Sequence, residues 1–289
     1  MAPEYADVYR VEKLEWKGET AEIWRAVGRN GQYFALKRLR LDKLRDGAAV
    51  RSVYHEARVA GDLDHENIVA VYDCVPGPPS PTILMEFFPS RNLKVRVRAP
   101  KPDPLLLYNT RDVLQQMAVA LNYVHLQGVI HMDIKPENFL LSDDGVVKLT
   151  DFALAQRERR GIRRLLPGRR RIAGTRPYIA PETLRRLAPD LRTDVYSFGA
   201  TVFEMLTGRP PFISGDRDEL LAMHLHQPPP WPTTFNKNLS GEISNFILAM
   251  LAKDPDRRPQ SMADVVAHFK RLPIHLKPPE ETPPSEAQR

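Results

Sequence analysis

Cysteine is nearly absent: the 289 residues hold one, Cys74. That excludes an intrachain disulfide framework and any cysteine-rich zinc site. Cys74 itself is expected as a small buried strand residue. Long apolar runs are also missing. No stretch approaches the about 20 residues of a membrane span, and the N-terminal run MAPEYADVYRVEK has no apolar signal core. The expected location is the cytoplasm. What remains is ordinary for a globular protein, with 42% hydrophobic and 27% charged residues. The length suits one large domain or two lobes with a real core.

Two local absences are sharper. Residues 151–182 contain no lysine but nine arginines, against three acids. The formal charge of the whole chain is +6, so this stretch carries all of the excess and the rest is neutral. No stacking aromatics are interleaved with the arginines, which argues against nucleic acid as a partner. From Ala153 to Gly174 there is also no Ser, Thr or Tyr. Control by phosphorylation inside that stretch is therefore excluded by composition.

Periodicity divides the chain in two. The first ninety residues read as short strands, at Tyr9–Leu14, Ile23–Val27, Gln32–Leu36, Ile68–Asp73 and Thr82–Phe87. One helix falls among them, at Ala48–Leu63, and Arg29-Asn30-Gly31 reads as a hairpin turn. The proline-rich run 76–81 is a loop. After Pro89 the spacing turns helical. Val113, Leu114, Met117, Ala118, Leu121 and Val124 share one face, with Thr110 as the expected cap. Further helices are expected at Asp194–Leu206, closed by Gly208, and at Asp216–Leu225, Glu242–Leu251 and Met262–Phe269. Ser261 and Asp264 make a capping box for the last. Residues 273–289 hold five prolines and read as a disordered tail. The class is α+β, a strand-rich lobe (8–88) followed by a helical lobe (89–272), with a cleft near residues 85–90.

Chemistry concentrates in His131-Met132-Asp133-Ile134-Lys135-Pro136-Glu137-Asn138 and in Asp151-Phe152-Ala153, which follows Asn138 by thirteen residues. Asn138 and Asp151 offer the oxygen ligands that Mg²⁺ prefers. Lys135 offers a fixed positive charge for a transferring phosphoryl group, and Asp133 can accept a hydroxyl proton.

These residues resemble the eukaryotic-like protein kinases, and further motifs follow in family order. Phe34-Ala35-Leu36-Lys37 matches the strand with the phosphate-binding lysine. Glu56, nine residues before His65, matches the helix glutamate that pairs with it. Leu84-Met85-Glu86-Phe87 looks like the hinge, and Ala180-Pro181-Glu182 like the end of the activation segment. Asp194 matches the buried aspartate that supports the catalytic loop, and Arg258 the arginine that pairs with Glu182. Lys135-Pro136-Glu137-Asn138 and Gly174-Thr175 resemble the serine/threonine branch, and Met223–Pro230 its bacterial members. The resemblance implies a bilobal fold and transfer of the ATP γ-phosphoryl to Ser or Thr of protein substrates, with Mg²⁺. Lys37 and Glu56 would orient phosphates. Asn138 and Asp151 would hold the metal, and Asp133 and Lys135 would serve catalysis. Ile23, Ala35 and Leu140 would sandwich adenine, and the backbones of Glu86 and Phe88 would bind its edge.

Three departures qualify that expectation. The glycine-rich loop keeps only Gly18, with Trp16 and Ala21 at the other glycine positions. Gly18 still allows backbone amides near phosphate, so weaker nucleotide binding is expected, not none. Ala153 replaces the glycine after Asp151-Phe152, which disfavours a left-handed backbone there and tends to hold one state. Met132 replaces the arginine that in many relatives grips an activation-loop phosphate, in keeping with the missing hydroxyls. These departures favour a pseudokinase as the alternative, a nucleotide-binding or scaffolding module. The intact set Lys37, Glu56, Asp133, Lys135, Asn138 and Asp151 opposes it. His131 is expected as a packed residue under Phe152, in a column with Ala60 and Val71. His224 and His226 have no third ligand nearby and predict no metal site. The arginine run predicts substrates with acidic or already phosphorylated residues near the acceptor.

Overall fold

A computed structural model describes residues 9–76, 80–158 and 174–277. The strand-rich half is a five-stranded antiparallel sheet of order β1-β2-β3-β5-β4, with β1 Tyr9–Lys17, β2 Ala21–Gly28, β3 Tyr33–Leu39, β4 Val71–Val75 and β5 Thr82–Glu86. The β2–β3 turn closes as its sequence suggests: Gly31 takes a left-handed φ of 80° and its N–H donates to Gly28 O. Helix α1, Gly47–Ala60, packs on the sheet through Val53 and Ala57 against Leu39 and Ile83. Asp46 caps it, accepting from Ala48 and Ala49 N–H.

One strand expectation is corrected. Ile68–Asp73 was to be a strand, but β4 starts at Val71, and Ile68 makes an isolated parallel bridge to Leu149. Leu149 N–H donates to Asn67 O at 2.8 Å and Val69 N–H to Leu149 O at 3.0 Å. This segment joins the two halves, so it is buried from both sides and reads apolar without alternation.

The helical half begins with β6, Arg91–Asn92, and the short helices α2, Leu93–Val97, and α3, Pro104–Tyr108. Helix α4 spans Thr110–Leu126 and buries the apolar face that its periodicity marks. Thr110 is not its cap. Asn109 holds that place, and the Thr110 hydroxyl bonds back to Leu106 and Leu107 carbonyls. The reason is that α3, capped by Asp103, runs almost directly into α4.

Small strands follow: β7 Val129–Ile130, β8 Phe139–Leu141, β9 Val147–Leu149 and β10 Gln156–Arg157. Then come α5 Pro181–Leu184, α6 Leu191–Thr207, α7 Arg217–His226, α8 Gly241–Met250 and α9 Met262–Arg271. Helix α6 is buried on nearly every side and forms the axis of this half. Each fully buried Phe of α6, Phe198 and Phe203, contributes roughly 2–3 kcal/mol of apolar transfer. It starts at a capping box of Asp190 and Thr193 and stops at Gly208, φ 78°. The Ser261–Asp264 capping box forms as expected.

Residues 273–277, assigned by composition to the tail, are ordered. Ile274 is buried, Ser240 N–H donates to Ile274 O, and Leu276 N–H to Asn238 O. The rest of that expected tail, part of the 76–81 loop and most of the arginine run lie outside the described residues. No helix among the described residues is long and apolar enough to cross a membrane.

Candidate active site

The cleft between the halves collects the residues singled out above. On the sheet, Lys37 points down from β3 and meets Glu56 of α1, Nζ to Oε1 2.6 Å and Oε2 2.7 Å. The same ammonium reaches Asp151 Oδ1 at 3.0 Å. Burial alone would push the lysine down, but Asp151 and Glu56 hold its pKa well above its usual value. Burial also opposes the charge on Asp151, yet Lys37 and then Lys135 bring its pKa to about 2. Burial raises Glu56, despite Lys37, and a second carboxylate across the shared ammonium adds to the rise.

The second cluster lies on the loop between β7 and β8. Asp133 Oδ2 accepts from Lys135 Nζ at 2.6 Å. Asn138 Nδ2 donates to the Asp133 carbonyl at 2.8 Å, which leaves its Oδ1 as a ligand atom. Asp194 of α6, wholly buried, holds the start of this loop. It accepts from His131 N–H at 2.7 Å, Met132 N–H at 2.9 Å and His125 Nε2 at 2.9 Å. Those bonds fix Met132 at φ 70°, a left-handed backbone that costs a non-glycine residue about 1–2 kcal/mol.

Left-handed backbone also occurs at Asp151, φ 68°, and not at Ala153. Aspartate tolerates that conformation better than alanine, and Ala153 stands where the backbone asks for no left-handed residue. Phe152 packs under the sheet against His131, ring centroids 4.8 Å apart, within one core with Ala60, and Val71 packs against it. Burial lowers the His131 pKa, in keeping with a packed neutral ring.

The residues expected to sandwich adenine also come together. Ala35, Val69 and Met85 form a buried cluster with Ile23, Phe87 and Leu140 packed on it. Glu86 and Phe88 lie at the edge. The Glu86 carboxylate is engaged by Lys148 at 2.8 Å and its N–H by Ala70 O. Phe88 O accepts from Ser90 Oγ at 2.9 Å.

Gly18 lies in the turn between β1 and β2, where its N–H donates to Ala21 O at 2.9 Å.

Two features escaped the sequence reading of the site. Thr175 gives both its N–H and its hydroxyl to Asp133 Oδ1. Gly174, φ 110°, makes this approach possible, since a β-carbon there would lie 3.0 Å from Met132 O. Gly174-Thr175 was the available signal. The second is a buried triad of Lys94, Tyr178 and Glu204, with Lys94 Nζ 2.5 Å from Glu204 Oε1 and 2.8 Å from Tyr178 Oη. Its members are scattered along the chain and carried no signal. Glu182 and Arg258 pair bidentately at 2.8 Å as expected. His224 is buried against Tyr196 Oη at 3.0 Å, and no metal-type cluster of His, Cys, Asp and Glu occurs among the described residues. Cys74 is free and half-buried in β4.

Residues 9–269 match the family model described as protein kinase domain. The serine/threonine-protein kinase PknB of Mycobacterium tuberculosis is 34% identical over 253 residues, 86% of this chain and 40% of that protein. PknB of Mycobacterium leprae is 32% identical over 290 residues, 97% of this chain and 45% of that protein. A probable serine/threonine-protein kinase of Streptomyces coelicolor is 33% identical over 258 residues, 88% and 38%. The chain thus spans less than half the length of these relatives. With a match over almost its whole length, and with the lysine–glutamate pair and the aspartate-bearing loops meeting in one cleft, the chain belongs to the protein kinase family.

Proposed function

We propose that this chain is the catalytic domain of a protein serine/threonine kinase, moving the γ-phosphoryl of ATP to a Ser or Thr hydroxyl. The observation that carries the reading is the bracketing of Asp133: Lys135 at 2.6 Å on one oxygen, Thr175 at 2.7 Å on the other, beside the Lys37–Asp151 pair. Asp133 takes the proton of the acceptor hydroxyl as its oxygen attacks phosphorus, and the P–O bond to ADP breaks. Lys135 neutralises charge on the transferring group, and Lys37, steadied by Glu56, orients the phosphates. Ile23, Ala35 and Leu140 enclose the adenine, and the backbones of Glu86 and Phe88 bind its edge.

The donor set fits Mg²⁺: a carboxylate at Asp151 held ionised, and the amide oxygen of Asn138. Bound there, the ion would neutralise phosphate charge. The names of the relatives support Ser and Thr as acceptors. The arginine excess of residues 151–182 supports acceptors flanked by acidic or phosphorylated residues. Dependence on ATP supports a cytoplasmic site of action. The test is phosphate transfer from labelled Mg-ATP to generic acidic and basic protein substrates. Activity absent from the chain, or unchanged in Asp151→Ala, would overturn the reading.

A further inference from the structure

The glycine-loop position held by Trp16 is filled in an unusual way. The β1–β2 register shifts between Leu14 and Trp16, so that Trp16 stands opposite Ile23 and Lys17 opposite Glu22. Directly opposed residues of an antiparallel pair share a face. Ile23 in turn opposes Lys37 and packs with the adenine-side cluster. Trp16 is therefore on the cleft face of the sheet. Trp24, by contrast, packs on the outer cluster of Ala26, Leu36 and Leu84. The Trp16 ring then folds along the loop. A β-carbon added to Gly18 would lie 1.9 Å from its Cη2, 2.5 Å from Cζ3 and 2.7 Å from Cζ2. The six-membered ring thus covers the Gly18 backbone. The loop is also tied to itself and to the end of β3. Gly18 N–H donates to Ala21 O, Arg40 Nη1 to Gly18 O at 3.1 Å, and Arg40 N–H to Thr20 O.

On the kinase reading above, we infer that Trp16 sets nucleotide specificity by replacing backbone amides with an indole as the roof over the phosphates. A glycine in such a loop serves to bring N–H groups close to an anion. Here the one remaining glycine has its N–H committed and its open side covered. An aromatic carbon face offers phosphate no donor. Recognition then rests on the base and sugar, through the Ile23, Ala35 and Leu140 cluster, and on Lys37 alone from the sheet side. The chain selects weakly between nucleotides of different phosphate number.

The experiment is calorimetric binding of adenosine, Mg-ADP and Mg-ATP to the purified chain and to Trp16→Gly, with melting curves to confirm folding. Trp16→Ala, gentler on the strand, reads the same quantity. The ratio of adenosine to Mg-ATP dissociation constants is expected to rise about tenfold in both variants, the worth of one charge-assisted hydrogen bond from a loop N–H other than that of Gly18, once the ring no longer covers the turn. A ratio unchanged or lowered, with binding intact, overturns the inference and leaves the kinase reading standing. No binding of any of the three to any form at millimolar concentration overturns the nucleotide site itself, and the inference with it.

Discussion

Thr175 donates its backbone N–H at 2.9 Å and its hydroxyl at 2.7 Å to a single oxygen, Oδ1, of Asp133. Lys135 links the two, donating to Asp133 Oδ2 and, at 2.9 Å, to Thr175 Oγ1. The end of the activation segment is thereby part of the apparatus that aims the proposed base. Replacing Asp133 by Asn is expected to lower phosphoryl transfer by about 10²–10⁴-fold with little change in ATP affinity. Thr175→Ala, which removes one hydrogen bond to a charged group, should lower kcat by about tenfold, and Thr175→Ser should restore it. Steady-state kinetics of the three variants check this; wild-type kcat in Thr175→Ala would rule out the aiming role.

Lys37 stands between two carboxylates, Glu56 and Asp151. Taking the ammonium away leaves the buried Glu56 carboxylate without its partner and facing the partly exposed Asp151. Lys37→Met is expected to destabilise the fold by about 3 kcal/mol, as for other buried pairs broken on one side. Lys37→Met combined with Glu56→Leu should recover much of that loss. Urea unfolding of both variants decides, and a double variant no more stable than the single one would contradict the account.

Lys253 lies over the Phe212 ring, 4.4 Å from its centroid, and donates to Tyr196 Oη and Met223 O. The groups around it are Tyr196, a His224 kept neutral with a pKa of about 3, and the cations Arg258 and Arg185. Burial first, then these arginines, lower its pKa to about 8. Between about 8 and its usual 10.5 the unfolded chain binds more protons at this lysine than the native one, so stability rises with pH across that window. Lys253→Met should flatten the rise and stabilise the protein at neutral pH. Melting temperatures of both proteins against pH test this; parallel curves would count against it.

The arginine run supplies a prediction through its charge alone. Peptide-library phosphorylation should favour acidic or phosphorylated residues near the acceptor. The preference should fade as salt brings the screening length to about 10 Å near 0.1 M. Changing Arg169, Arg170 and Arg171 to Gln should weaken it further, while phosphatase treatment should leave the rate unchanged. Identical profiles for wild type and variant at every salt concentration would reduce the run to a solvated segment.

The site residues were legible because each sits in a short run whose chemistry is local: Asp133, Lys135 and Asn138 within six residues, and Asp151 just after the strand Val147–Leu149. The sheet was legible because its strands are short runs of apolar and β-branched residues set off by turn residues such as Asn30-Gly31 and the prolines of 76–81. What stayed hidden depends on distant partners. Nothing about a methionine announces the left-handed turn at Met132, which follows from Asp194, 62 residues further on. Thr110 has the composition of a cap, but the preceding helix takes that role from it. Proline content suggested a disordered end from 273 onward, yet Ile274 fits the core near Ser240, and only three-dimensional packing reveals that.

The Asp194 anchor also determines how lobe motion and chemistry relate. Asp133, Lys135 and Asn138 hang from the large lobe, fixed through α6, while Lys37 and Glu56 travel with the sheet and α1. The Lys37–Asp151 contact crosses between the two halves, as do the Ile68–Leu149 bridge and the contact of His55 Nε2 with Ala155 O. On the proposed function, opening the cleft to exchange nucleotide would need no reassembly of the acceptor side, which Asp194 holds from within the helical half. Its electrostatic preorganisation would then survive from one turnover to the next, with the reorganisation of each cycle confined to the donor side.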